Sequence, residues 1–315
     1  AVFALLAGTA TTFSLATPLM ASVIGELFHV ELNRAVVTII ILVLTCVVYT
    51  YSLLHGFKGI SFLAKSCIYL FFGLLAYVFL FGGETKYIIE TGFSAIGRVA
   101  QNFFQLATYT DPQRTTSFPQ TWTIFYWAYW MVWCVATPFF IGNISRGRTV
   151  RQTIFGGYLF GCGSTIVSFI ILGNYSLGQQ IAGVADYVAM YQKNGDLYSI
   201  IIAIIRTLPC APLILALLFI TMVAFYATSF DSIALIGACY SYHKLGENES
   251  PHKLIELMWC VLLIALPIAL VFSDSSMSNL QSVSIIAAFP IAAVIVLITF
   301  SFLKDAKKYL LETEK

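Results

Sequence analysis

The chain is predicted to be an all-α integral membrane protein, and three observations predict it. Hydrophobic residues make up 59% of its 315 residues and charged residues 10%, which leaves too few polar side chains to cover a soluble globule of this size. About eight apolar runs reach the ~20 residues that a helix needs to cross a hydrocarbon core. The runs are continuous, whereas an outer-membrane barrel would show short alternating strands.

The predicted spans lie near 1–28, 35–54, 60–82, 121–143, 152–173, 209–239, 254–273 and 282–303. Ala1 starts inside an apolar run with no initiator Met, basic flank or cleavage-type sequence, so the chain reads as an N-terminally truncated fragment. In the first span the stretch GTATTFSLATP collects Thr9, Thr11, Thr12 and Ser14, a hydroxyl-rich patch suited to close helix packing. Lys65, about one turn inside the third span, reads as a side chain that snorkels to the interface. A fixed place in a cation site is its alternative.

From Ile89, the apolar residues Phe93, Ile96, Ala100 and Phe103 recur at steps of three and four, opposite Glu90, Ser94, Arg98, Gln101 and Gln105. This predicts an amphipathic surface helix resting on lipid headgroups, on its own bundle or on another subunit. The turn-rich YTDPQRTTSFPQ at 109–120 then leads into the next span. Gly156, Gly157, Gly161, Gly163 and Ser164 predict a central helix open to close approach, and the Leu-rich 254–273 run predicts a peripheral one. Seven cysteines are scattered singly through apolar segments without CxxC spacing, the pattern of buried small apolar residues rather than metal ligands.

Lys and Arg are unequally divided between the two sides that alternating spans create. One side carries Lys58, Arg146, Arg148, Arg151, Lys244, Lys253, Lys304, Lys307, Lys308 and Lys315 against six on the other, which predicts it to be cytoplasmic. The connections at 83–120 and 174–208 then face outward. A net charge of +2 in such a chain gives no nucleic-acid footprint.

Residues 125–133 read FYWAYWMVW. Trp127, Trp130 and Trp133 are spaced three apart and share roughly one side of a helix, flanked by Tyr126 and Tyr129. An interfacial aromatic belt explains Trp122, but Trp130 and Trp133 stand about eight to eleven residues from either end, near the midplane at ~1.5 Å per residue. Such a face suits a cation wrapped in methyl groups. Each ring supplies ~0.5–2 kcal/mol of cation–π attraction, and a quaternary ammonium has no N–H bonds to lose on leaving water. An alkali cation or primary amine would require oxygen ligands instead.

A second constellation, Thr228-Ser229-Phe230-Asp231-Ser232, lies inside the 209–239 span. Hydroxyls at Thr228 and Ser229 are hard donors of the kind an alkali cation takes, although bonding back to the preceding helical turn explains them as well. Asp231 is a carboxylate within a span, which costs ~2.5–3.5 kcal/mol on insertion scales and marks a functional candidate. A gate, a helix tether and ion contact all suit its position. No His/Asp/Glu cluster, nucleophile pair or cofactor fingerprint is visible in the spans, so an enzyme is not expected.

WTIFYWAYW at 122–130, ISRGR at 144–148, TSxDS at 228–232, YTDP at 109–112 and KDAKKY at 304–309 together resemble the betaine/choline/carnitine transporter family. The resemblance implies a LeuT-like fold of five-plus-five inverted repeats within twelve spans, and trimeric assembly. On that plan, residues 1–82 are the last three helices of the first repeat and 83–120 the outer amphipathic helix with its linker. Residues 121–303 are then the complete second repeat of five helices, and 304–315 a short cytoplasmic tail. The family's tryptophan box falls on Tyr129, Trp130 and Trp133, with Trp127 nearby; Tyr129 stands where Trp is usual. The family's sodium motif matches Phe225, Thr228 and Ser229, and Ala136 replaces a Phe used by a second sodium site in some betaine symporters. SLATPLM, YTDP and FPQ are closest to the carnitine branch, whose sodium-independent exchangers lack the TSxDS found here.

The expectation is a secondary transporter in the inner (cytoplasmic) membrane for choline, carnitine, butyrobetaine or glycine betaine. Trp127, Tyr129, Trp130 and Trp133 bind the substrate, and Phe225, Thr228 and Ser229 bind Na⁺ as coupling ion, without any other cofactor. Asp231, Thr9 and Thr12 are accessory candidates. Sodium-independent exchange is the alternative within the family. A cation channel is the alternative outside it, and it would want a charged ring or carbonyl filter that the sequence does not display.

Overall fold

A computed structural model describes residues 2–29, 33–54, 56–116, 118–134, 137–244, 251–272 and 277–313, and among them regular structure is helical, with no strand. The order is α1 (Val2–Phe28), α2 (Arg34–Leu54), α3 (Gly56–Phe81), α4 (Thr85–Gln101) and α5 (Phe103–Thr108). A π-helical turn at Pro119–Ile124 then runs into α6 (Phe125–Trp133), followed by α7 (Thr137–Ile144) and α8 (Val150–Gly156). Further π-helical segments at Gly157–Cys162 and Phe169–Gly173 flank α9 (Gly163–Ser168) and lead into α10 (Asn174–Ile181). The connection after α10 holds α11 (Tyr187–Asn194) and α12 (Leu197–Arg206), and the last helices are α13 (Ala211–Tyr240), α14 (Lys253–Phe272) and α15 (Met277–Thr313).

Among the described residues, five helices are long and apolar enough to cross a membrane: Val2–Phe28, Ser61–Phe81, Val150–Ile181, Ala211–Tyr240 and Gln281–Glu312. The chain is therefore an all-α, multi-pass membrane protein. Hydrophobic side chains such as Phe160, Phe169, Phe289 and Phe300 are exposed, as surfaces facing lipid must be.

The chain divides into two compact units. The first comprises residues 1–15, 108–144 and 233–315. Its core is built from small side chains: Ala4 and Ala7 of α1, Ala128 and Val132 of α6, and Ala287, Ala288 and Ile291 of α15 are all buried together. Small residues let backbones approach, which is how helices gain dispersion contacts where lipid removes the hydrophobic drive. Thr11 Oγ1 and Ser284 Oγ, both buried, meet across this packing at 2.7 Å.

The second unit comprises residues 16–107 and 145–232 and has a conventional core of Val23, Leu74, Val78, Ile88, Tyr175, Ile205 and Ile214. An apolar cavity of about 540 Å³ opens in it, lined by residues including Leu19, Leu74, Phe169, Tyr175 and Ile204. Here α4 lies against α10 and the second π-helical segment of the 150–181 helix. Its buried positions are Ile88 and Gly92, and Ile170 fills the space where a Gly92 side chain would stand. The predicted amphipathic helix exists as α4 and α5, and its apolar residues Phe93 and Ile96 of α4 and Phe103 of α5 are exposed rather than packed on the described chain.

Three expectations are corrected. Gly156, Gly157, Gly161 and Gly163 have open space where a Cβ would stand, with no described neighbour within 4 Å, so no described helix of their own unit uses that stripe. The run predicted to be peripheral, now α14, buries Trp259, Cys260, Leu263 and Ile264. None of the seven cysteines forms a disulfide among the described residues, and Cys162 and Cys210 are exposed rather than buried.

Local sequence explains the ISRGR turn. Arg148 N–H donates to Ser145 O at 3.0 Å, Gly147 takes the left-handed φ of +80°, and Thr149 caps α8 in a reciprocal box with Gln152.

Candidate functional site

The aromatic run forms α6. Phe125, Ala128 and Val132 are its buried positions, three and four residues apart, and they define the face that packs in the first unit. Trp127 and Trp130 point away from that face and are 56% and 63% exposed. Tyr129 and Trp133 are half-buried at the edge that meets α1. The rings therefore gather beside the packed face, and the described chain leaves two of the three indoles uncovered.

Tyr129 is the hub of the cluster. Its ring centroid lies 6.2 Å from Trp130 and 6.1 Å from Trp133, with interplanar angles of 73° and 81°. Phe125 lies 5.3 Å away, tilted by 32°. Edge-to-face packing places the positive rim of one ring on the negative face of another and leaves other π faces free to meet a cation.

The α1 edge is set by Gly8 and Thr12. A Cβ at Gly8 would stand 3.0 Å from Val132 Cγ1 and 3.3 Å from Trp133 Cε2, so the absence of a side chain is what lets α1 lie against the indole. One turn further, Thr12 Oγ1 and the Tyr129 hydroxyl meet at 2.5 Å. Gly8 faces Trp133 as Thr12 faces Tyr129, an antiparallel register in steps of four on both helices. Thr9, Thr11 and Thr12 each donate to the carbonyl four residues back, to Leu5, Ala7 and Gly8. The hydroxyl patch is thus mostly satisfied within α1 itself.

In the second unit Phe225, Thr228 and Ser229 share one side of α13. Phe225 packs edge-on against Phe71 at 5.6 Å, and Ser229 is exposed. Thr228 Oγ1 donates to Ala224 O at 2.8 Å and stands 3.0 Å from Cys67 Sγ. With its hydrogen committed to a carbonyl, that oxygen is purely an acceptor, the condition an alkali cation requires. The side chain of Asp231 and the whole of Ala136 lie outside the described residues. Lys65 is exposed and does not occupy a buried cation site.

Sequence reasoning misses two residues. Gly8 passes for one small residue among several, although its spacing of four from Thr12 marks a shared face. Cys67 meets Thr228 across 161 positions of sequence, for which no local signal exists. The apolar cavity of the second unit is lined by none of the predicted site residues, and its wall offers no charged group.

Residues 1–310 match the sequence model of a family described as BCCT, betaine/carnitine/choline family transporter. Over 238 residues, 75% of the chain, it is 29% identical to a protein of Escherichia coli K12 named uncharacterized transporter YeaV. Over 273 residues, 86% of the chain, it is 27% identical to a carnitine transporter of Acinetobacter baumannii. The matches cover 49% of each relative, so the chain spans about half the length of the curated relatives it matches.

Proposed function

Because the chain belongs to the betaine/carnitine/choline transporter family, we propose that it is the part of a secondary transporter that binds a small quaternary ammonium compound through the rings of α6. The observation that carries this reading is the edge-to-face grouping of Trp130 and Trp133 around Tyr129. Three aromatic rings at ~0.5–2 kcal/mol each supply enough attraction for a methylated cation that gives up few hydrogen bonds with water. Carnitine heads the candidate substrates because one similar protein carries that name, with choline, butyrobetaine and glycine betaine beside it.

Na⁺ is the coupling ion in this reading, held by Thr228 and Ser229 beside Phe225. The acceptor-only oxygen of Thr228 supports it. The protein works in the inner membrane, with Arg146, Arg148 and Arg151 cytoplasmic, as a trimer of LeuT-like five-plus-five subunits in which residues 121–303 form the second repeat.

The test is uptake of labelled carnitine, choline and glycine betaine by the intact protein in liposomes, with and without a sodium gradient. Trp130→Ala and Trp133→Leu should each reduce uptake at least tenfold while the protein still inserts. Unchanged uptake in both removes the aromatic site. Replacing Thr228 and Ser229 together by Ala should abolish the stimulation by sodium; an equal loss with and without the gradient assigns these hydroxyls to packing and favours sodium-independent exchange.

A further inference from the structure

The hydrogen bond between Thr12 and Tyr129 has a direction that follows from its surroundings. Thr12 Oγ1 lies 2.9 Å from the carbonyl oxygen of Gly8, and a carbonyl only accepts. The single hydroxyl hydrogen of Thr12 is therefore spent within α1. The hydrogen in the 2.5 Å contact between the two side chains must then come from the phenol. Tyr129 donates, Thr12 accepts, and Gly8 O ends the chain.

Two consequences follow for the ring cluster. First, the Tyr129 ring is tied at its far end to a neighbouring helix. Trp130 and Trp133 rest edge-to-face on it at 73° and 81°, so fixing Tyr129 fixes the platform that orients both indoles. Gly8 closes the same edge one turn away by admitting Trp133. Second, the phenol oxygen has no hydrogen left to offer. It can accept, but it cannot donate to a carboxylate.

We propose that Thr12 is a positioning residue of the aromatic site, acting through the hydroxyl of Tyr129, and that Tyr129 serves the ammonium end of the substrate and never a carboxylate. This rests on the reading of α6 as the quaternary ammonium site. It also gives the Tyr at this position a purpose that a Trp would not share, because an indole has a donor placed elsewhere on its ring and no acceptor oxygen.

The experiment uses the intact protein in liposomes with three probes: choline, which has no carboxylate, and glycine betaine and carnitine, which have one. Thr12→Val removes the acceptor and keeps the shape; Tyr129→Phe removes the donor and keeps the ring. Each should raise the half-saturating concentration at least about fivefold, the size of one lost hydrogen bond, with the maximal rate within about twofold of the unmodified protein. The factor should be the same for all three probes. The double variant should be no weaker than Tyr129→Phe alone, which breaks the bond to Thr12 together with the hydrogen bond between Tyr129 and Trp133. Thr12→Ser, which retains an oxygen, should recover most of the loss.

Additive losses, or no loss in Thr12→Val, overturn the positioning role. A loss in Tyr129→Phe that is confined to the two carboxylate probes shows the phenol donating to substrate and overturns the assigned direction. If Thr12→Val fails to insert, Tyr129→Phe with the three probes still decides the matter. Trp130→Ala and Trp133→Leu, measured alongside, separate the two levels: no effect in both sinks the aromatic site itself, whereas a large effect in either with none in Thr12→Val sinks only the positioning role.

Discussion

Gly8 and Trp133 are in direct contact because one of them has no side chain: a Cβ at Gly8 would lie 3.3 Å from Trp133 Cε2 and 3.0 Å from Val132 Cγ1. Ala at position 8 would require these neighbours to yield by a few tenths of an ångström. It would also gain about 1 kcal/mol of helix propensity, so Gly8→Ala should change stability little. Gly8→Leu cannot be absorbed in this way and should cost about 1–3 kcal/mol as the interface is overpacked. Thermal unfolding in detergent measures both. A well-tolerated Leu would show that α1 does not rest on the indole.

A harsher version of the same contact occurs between Gly237 and Trp259. A Cβ at Gly237 would stand 2.6 Å from two atoms of the indole, and that ring is pinned by Nε1–H donating to Ser241 Oγ at 2.8 Å. Gly237→Ala should therefore destabilise by about 2–3 kcal/mol, more than Gly8→Ala, despite the identical chemical change. Adding Ser241→Ala frees the indole to turn and should recover part of the loss. Strict additivity of the two changes would contradict the pinning.

These contacts show what the sequence could and could not disclose. The long helices were legible because they are continuous apolar runs, and the ring cluster was legible because its members are contiguous in sequence; α11 and α12, within what read as a plain connection, were not foreseen. Which face of a helix packs was harder to read. In lipid an apolar side chain has no reason to turn inward, so Phe93 and Ile96 marked a face of α4 that is exposed, while Gly92, invisible to a hydrophobic pattern, is buried on Ile170. The glycines at 156–163 mislead in the opposite sense, since small residues permit close approach without requiring it. Pairings such as Thr12 with Tyr129, 117 positions apart, and Cys67 with Thr228 depend on how the helices assemble and leave no local trace.

The segment from α10 to the end of α12 is held by a directed chain of hydrogen bonds. Tyr187 donates to Gln179 Oε1, Gln179 Nε2 donates to Tyr175, and Tyr175 meets Thr207 Oγ1, each at 2.8 Å. Thr207 donates onward to Ile204 O, so the Tyr175 hydrogen goes to Thr207. Gln179 is buried and links both tyrosines. Gln179→Leu would remove the acceptor of the buried Tyr187 hydroxyl, at about 1–3 kcal/mol for a group left unsatisfied, and one of two partners of Tyr175, which keeps Thr207. Gln179→Glu keeps the acceptor for Tyr187 but loses the donor to Tyr175, and should fall between. Protection of the α11–α12 amides from hydrogen exchange should drop in the order wild type, Glu, Leu; equal protection in all three would show that the hairpin is held by something else.

Asp111 organises the turn that leads to the aromatic helix. It adopts a φ of +48°, and its Oδ2 accepts from the Thr116 backbone N–H at 2.8 Å and from Thr115 Oγ1 at 2.9 Å. Bonds to the charged form, that from Thr116 N–H foremost, hold its carboxyl below the ordinary aspartate value. The backbone N–H of Ala189 does the same for Asp186 at the start of α11. A depressed folded value means that the carboxylate contributes its full stabilisation above the unfolded pKa of about 3.9 and loses it as the pH falls through the lower folded value. Amide exchange at Thr116 should accordingly be protected at neutral pH and lose protection on acidification below about pH 4, relative to amides in α6. Asp111→Asn tolerates the left-handed backbone and retains an acceptor, so it should hold the turn at every pH with weaker protection and no acid transition. An acid transition that survives in Asp111→Asn would assign it to another group and detach the pH response from this turn.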